Sequence, residues 1–233
     1  MLFKRENGQP VKIYKAFSFI EILLALTLGS IILFAFATFY SDIYRNQIKQ
    51  RELLNLQKHT HQLLDYFQQH IQHINYQGEN RKESNYSIFA DNHHNYALNN
   101  PHCLMFFYDL SGDGCVGNRN KTQACENNGV NKTKDVSQEF FGFKFEKKAI
   151  FIYEDSQIQY CAEPLCKQLL TNCQAGNWRK MSDMSDYNVE NLQFEWLEQD
   201  KLLKIALALS STKNNKIQYQ ATAYSYILNS RDK

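Results

Sequence analysis

At 233 residues the chain is long enough for one domain or two small ones, and it can bury a core of its own. Its 26 Lys and Arg against 24 Asp and Glu exclude a global field of either sign that would steer it to nucleic acid or an anionic surface. Any partner must therefore be read from local features.

Residues 1–16 are polar and basic, with Lys4, Arg5, Lys12 and Lys15. Phe17 to Phe39 then run for 23 residues with a single strongly polar, ionisable side chain, Glu21. As a helix this stretch would rise about 34 Å, enough for a hydrocarbon core of about 30 Å, so one transmembrane span over 17–39 is expected. The basic flank is expected to remain cytoplasmic, which puts the rest of the chain on the periplasmic side of an inner membrane.

After the span no Gly occurs before Gly78 and no Pro before Pro101, so nothing obliges the helix to stop at the membrane surface. Ile43, Ile48, Leu53, Leu56, Leu63, Phe67, Ile71 and Ile74, with Leu54 and Leu64 beside them, approximate one helical stripe. Residues 40–77 are read as an amphipathic continuation. Residues 78–233 form a mixed, strand-rich domain.

In that domain His102–Tyr108, Glu139–Glu146, Ala149–Tyr153, Gln157–Ala162, Val189–Leu197, Leu202–Leu209 and Lys216–Ile227 are rich in aromatic and β-branched residues. Phe141, Phe143 and Phe145 alternate with Gly142 and Lys144, as in a strand with one buried face. The last three runs read as an antiparallel meander. Residues 111–137 show no clear period and are too long for a plain connector.

All six cysteines, Cys103, Cys115, Cys125, Cys161, Cys166 and Cys173, lie in this half. An even number beyond a membrane span favours disulfides, with the pairing open. Two or three bridges are expected to hold residues 111–137 and 164–174 to the sheet. The spacing of Cys161, Cys166 and Cys173 is not the paired CxxC of a structural zinc site.

The sharpest signal is Lys15-Ala16-Phe17-Ser18-Phe19-Ile20-Glu21 running into the apolar helix. It resembles the type IV prepilin motif. The resemblance implies a leader over 1–16, cleavage between Ala16 and Phe17, N-methylation of Phe17, and Glu21 as the fifth-position carboxylate; the family usually has Gly where Ala16 stands. A carboxylate inside lipid is costly unless neutralised or paired, so Glu21 needs a partner. By resemblance that partner is the terminal amine of a neighbouring subunit.

Val189-Glu190-Asn191-Leu192-Gln193-Phe194-Glu195-Trp196 with two following strands, and Cys103 to Asp109, look like the minor pilins of the group containing PilW, the prepilin peptidase-dependent protein B and the type II secretion pseudopilin J. This implies an α+β, pilin-like fold: a long N-terminal helix, transmembrane in its first half, packed on an antiparallel β-sheet domain with disulfides. It implies a structural subunit of a type IV pilus or competence machinery for DNA uptake, helping filament initiation or sitting at the tip. Partners would be other major and minor pilins, the prepilin peptidase and the inner-membrane assembly platform. Rival readings are a type II secretion pseudopilin, a membrane-anchored binding module that never polymerises, and a signal peptide ending at Ala35-Phe36-Ala37. The apolar stretch before Ala35 is too long, and carries a Glu, for a signal peptide.

Asp109, Ser111 and Asp113, with Gly114, resemble the start of an EF-hand calcium loop, but its twelfth position is Asn120 rather than a bidentate Glu. A strand-end turn rich in Asp and Gly has the same pattern. His70 and His73 share a helix face without an acidic third ligand nearby in sequence, alongside His59 and His61. Arg119, Lys121, Lys132, Lys134, Lys144, Lys147 and Lys148 cluster in sequence, but removal of four basic and one acidic leader residues takes the formal charge from +2 to −1, which argues against direct DNA binding. No nucleophile motif, phosphate-cradling loop or HExxH is present, so neither an enzyme nor a cofactor is expected.

Overall fold

A computed structural model describes residues 18–78, 84–119, 123–154, 161–181 and 187–229. The chain divides into two compact units, Met1–Lys49 and Gln50–Lys233. Helix α1 (Phe19–Ile71) contributes to both.

In the first unit α1 exposes its apolar side chains, among them Leu23, Leu26, Ile31, Phe34 and Phe36. It is the one helix among the described residues long and apolar enough to cross a membrane. The hydroxyls of Thr27, Ser30 and Thr38 donate back to the carbonyls of Leu24, Thr27 and Ala35. That satisfies them without water, as a hydrocarbon surrounding demands.

The second unit begins with the last part of α1, which is followed by helix α2 (Tyr86–Phe89) and strands β1 (Tyr96–Asn100) and β2 (Cys103–Phe107). A small hairpin, β3 (Glu126–Asn127) with β4 (Val130–Asn131), precedes β5 (Phe140–Glu146), β6 (Ala149–Tyr153), α3 (Glu163–Thr171) and β7 (Trp178–Lys180). The chain closes with β8 (Tyr187–Glu198), β9 (Leu202–Ser211) and β10 (Gln218–Tyr226). These make an antiparallel five-stranded sheet in the order β1-β2-β5-β6-β7 and the expected meander as a three-stranded sheet β10-β9-β8. With three disulfides the fold is α+β and pilin-like.

Two apolar clusters explain the strand pattern. Leu56, Leu63, Leu64, Phe67 and Ile71 of α1 pack with Leu104, Phe106 and Phe143 of the five-stranded sheet and with Val189, Phe194, Leu203, Ile205 and Leu207 of the meander. On the opposite face of the five-stranded sheet, Cys103, Met105, Phe107 and Phe140 meet Tyr86, Ile88 and Phe89 of α2 and Cys166 and Leu170 of α3. Strand β2 is consequently buried at all five positions, reading as a continuous apolar run rather than an alternation.

Several expectations need correction. The helix ends at Ile71 rather than near Gln77, and the chain turns through Asn75 at φ +68°. The stripe is narrower than the sequence pattern: Leu53 and Leu54 are 40% and 63% exposed, and the buried face starts at Leu56. Strand β5 does not leave Lys144 in solvent. Lys144 is 8% exposed, with Nζ 4.6 Å from the Trp178 ring centroid and 3.2 Å from Glu146, because α3 and β7 bring cover to that side. Gly142 beside it is required by closeness, since a Cβ there would collide with Met105 Sδ. Of the run expected over 157–162, residues 157–160 lie outside those described, and Ala162 makes an isolated bridge to Val130 before α3 begins with Pro164 in its first turn.

The disulfides also differ from expectation. Cys103–Cys173 does tie the end of α3 to β2 across 70 residues. Cys115–Cys125 closes within the long loop, and Cys161–Cys166 is local to the start of α3, so no disulfide joins residues 111–137 to the sheet.

Candidate functional site

Ala16 and Phe17, the expected cleavage pair, lie outside the described residues, which begin at Ser18. Ser18 stands immediately before the first turn of α1, and the Glu21 carboxylate accepts a hydrogen bond from its backbone N–H at 2.9 Å. This is the returning half of a capping box, in which an acid three residues into a helix serves an otherwise orphaned donor. Glu21 therefore has a role within its own chain, at the end of α1 where the helix dipole also favours negative charge. Its second oxygen makes no hydrogen bond within the described residues and remains able to take a cationic donor.

In the second unit α1 is fixed to the sheets by polar contacts as well as by packing. Glu52 accepts hydrogen bonds from Lys213 Nζ at 2.8 Å and Ser211 Oγ at 3.1 Å, and the lysine bond first among its causes holds the carboxyl below its usual range. Gln68 Nε2 donates to the Tyr224 carbonyl at 2.9 Å. These contacts join the helix to the β9–β10 turn and to β10.

The acidic loop has a clear internal role. Asp109 is fully buried and accepts from the backbone N–H groups of Gly78, Gly112, Asp113 and Gly114 at 2.6–3.0 Å and from Ser111 Oγ at 3.2 Å. Glu139, 2% exposed, accepts from Ser111 N and Gly117 N, each at 2.7 Å. Burial raises the Glu139 pKa, and the two backbone donors oppose that shift. The oxygens that an EF-hand would turn to a cation are thus turned to backbone donors. Asp113 accepts from Cys115 N and pairs with Arg119 at 3.3 Å. Among the described residues no group of three His, Cys, Asp or Glu side chains is placed to hold a metal.

Asn85 completes this clasp and was not singled out by sequence. Its Nδ2 donates to the Val116 carbonyl and to Asn131 Oδ1, and its Oδ1 accepts from Val116 N, all at 2.8 Å. Only a buried position shows that this Asn, one of many in the chain, is structural. Asp109, Glu139 and Asn85 do for the long loop what a disulfide to the sheet was expected to do.

The histidines separate. His59 and His61 lie against Tyr187 and Tyr219 respectively. His70 Nδ1 is 3.0 Å from Tyr108 Oη, within hydrogen-bond reach, and its ring lies 5.0 Å from that of Phe141. Burial, and secondarily His73, lowers its pKa. His73 stacks on Tyr108. The basic run divides: Lys144 and Lys147 pair with Glu146 and Lys148 with Glu190, whereas Arg119, Lys132 and Lys134 line one pocket together with Asp135, and Lys121 lies outside the described residues. A run of cations in sequence does not become one patch when neighbouring acids alternate with it.

Comparison with known proteins adds a second line. The family model for prepilin peptidase-dependent protein B matches residues 49–227. That span nearly coincides with the second unit and does not include the prepilin-like motif, so the two lines are independent. A protein of Haemophilus influenzae strain Rd, described only as uncharacterized, is 30% identical over 185 residues, covering 72% of this chain and 77% of that one. No solved structure matches.

Proposed function

The chain belongs to the prepilin peptidase-dependent protein B family, and from that premise we propose that it is a minor pilin: a structural subunit of a type IV pilus or pilus-like DNA-uptake machinery that helps to start or tip the filament and has no catalytic activity. The observation that carries this reading is the order Ala16, Phe17, Glu21 leading into an apolar helix, with Glu21 the single ionisable side chain from Phe17 to Phe39.

On this reading residues 1–16 are removed by the prepilin peptidase and residues 17–39 hold the subunit in the inner membrane, with the helix continuing from residue 40 to Ile71. The basic flank keeps the leader cytoplasmic, and residues 78–233 face the periplasm, where disulfides form. When helices bundle, the amine of methylated Phe17 on one subunit meets Glu21 on its neighbour. The low dielectric makes a mismatched register expensive, so one buried pair sets the vertical offset between subunits while apolar side chains supply area. Other pilins and the inner-membrane assembly platform are the partners.

Deletion of the gene tests this. A minor pilin predicts far fewer surface filaments, restored by the intact gene, and the protein at low abundance in sheared filaments. Normal filament number with lost secretion of exported proteins would favour the pseudopilin reading instead.

A further inference from the structure

We propose that the outer edge of β10, over Gln218–Thr222, is a docking edge that receives an uncharged edge strand of a different pilin-like subunit and so extends the three-stranded sheet. The proposal rests on the reading of this chain as a filament subunit and adds where, and with what kind of partner, it is joined.

The three-stranded sheet has two edges, β10 and β8, and they are treated differently. Strand β8 carries Glu190, Glu195 and Glu198, has register breaks between Val189 and Asn191 and between Trp196 and Glu198, and its Phe194 N–H already donates to the Pro101 carbonyl at 2.7 Å. Charge, bulges and cover are the usual means by which an edge is protected from further pairing. Strand β10, Gln-Tyr-Gln-Ala-Thr-Ala-Tyr-Ser-Tyr, has no charge and no Pro, and it pairs with β9 over nine residues without a break.

The direction of its free backbone groups follows from the pairing. The Ile217 carbonyl and the Ile227 N–H bond inward to Ser211 and Lys201, whereas the Tyr224 carbonyl and the Leu228 N–H bond outward to Gln68 and Gln72. Alternation along an antiparallel strand then points the backbone groups of Gln218, Gln220 and Thr222 outward as well. Side chains of α1 attend the edge from Tyr224 onward, and no described strand pairs with β10 on that side. The Gln218, Gln220 and Thr222 side chains are exposed. A five-residue stretch is a sufficient seat for an added strand.

A second copy of the chain is a poor occupant. Its β8 is protected, so head-to-tail continuation of the sheet is blocked. Pairing of β10 with β10 would set two identical edges together, and the test below reads it as a separate outcome. A strand from another subunit, itself without charge in the paired register, does not meet the obstacle that β8 presents.

The test replaces Gln220 by the photo-crosslinker p-benzoylphenylalanine in the full-length protein, produced in a bacterium that makes its own set of pilin-like subunits. Crosslinked peptides are identified by mass spectrometry. The expected product joins Gln220 to an uncharged strand of another pilin-like subunit; it falls at least tenfold in Thr222→Pro, which removes one outward N–H, and persists in Thr222→Val. Thr222→Lys, which keeps every backbone group, carries the same expected loss should the proline variant fold poorly. Crosslinks only to a second copy or to lipid, no crosslink, or a product indifferent to both variants would overturn the proposal. The N-terminus is sequenced in the same sample. A chain beginning at Phe17 without the crosslink removes the docking edge alone, whereas an uncleaved chain removes the filament reading and this inference with it.

Discussion

The Glu21 carboxylate closes the first turn of α1 by accepting the Ser18 N–H at 2.9 Å. Two roles thus converge on one acid, a local cap and the proposed bond to a neighbour's amine, and they can be separated. Glu21→Gln keeps an acceptor for Ser18 but has no charge, while Glu21→Ala loses both. Both variants should insert normally in membrane fractions, and both should fall at least tenfold in the sheared filament fraction. Normal incorporation of Glu21→Gln would reduce Glu21 to a cap.

The three disulfides close loops of very different length, 70, 10 and 5 residues. By loop-closure entropy, removing Cys103–Cys173 as a double alanine variant should cost about 4 kcal/mol and removing Cys161–Cys166 about 2 kcal/mol. Urea denaturation of the detergent-solubilised chain reads the difference. Equal losses would show that chain entropy does not dominate.

Asp109 holds four backbone N–H groups, and replacing it leaves several buried donors without an acceptor. Asp109→Ala should destabilise the chain by at least about 3 kcal/mol. Millimolar calcium should leave the melting temperature of the native chain unchanged, because the carboxylate already serves backbone donors. A rise with calcium would show that the turn rearranges around a cation.

His70 gives a pH dependence whose sign follows from its environment. Burial, with His73 adding repulsion, places the folded pKa below the ordinary histidine value of 6.5, so the unfolded chain binds more protons as pH falls. Stability present above pH 6.5 is therefore lost as pH drops through the folded pKa. Tyr66, Tyr108, His73 and Phe141 surround the ring, and none is an acid that would offset this. Glu139 acts oppositely at lower pH, its raised pKa giving stability below 4.5 that is lost as pH rises. The fall in melting temperature between pH 7 and 5.5 should be smaller in His70→Leu than in the native chain; an identical fall would exclude His70 as its source.

Much of the fold was legible because a half-buried surface imposes a period. Strands β8 and β10 alternate inward Val189 and Ala223 with outward polar residues, β9 sets inward Leu203, Ile205 and Leu207 against small outward Ala206 and Ala208, and the three runs read as a meander on their aromatic and β-branched residues. Elements covered on both sides or very short gave no period. Tyr-Ala-Leu-Asn-Asn of β1 and Trp-Arg-Lys of β7 lack alternation, and α3 follows a run that reads as strand. The long loop is ambiguous in sequence for a chemical reason: carboxylates with glycines suit a cation and suit a cluster of backbone N–H groups equally, and only the positions of Gly112, Gly114 and Gly117 distinguish the two. The prepilin-like motif is a signal of residue order, which needs no tertiary structure, and its Ala16 and Phe17 lie outside the described residues.

The most direct measurement is the mass and sequence of the mature N-terminus in protein extracted from the inner membrane. The account predicts a chain beginning at Phe17 and carrying one methyl group, about 14 Da, on its amine, because only a freed, positively charged terminus there can reach the Glu21 of a neighbouring subunit. A chain that retains Met1, or that begins after Ala37, would contradict it.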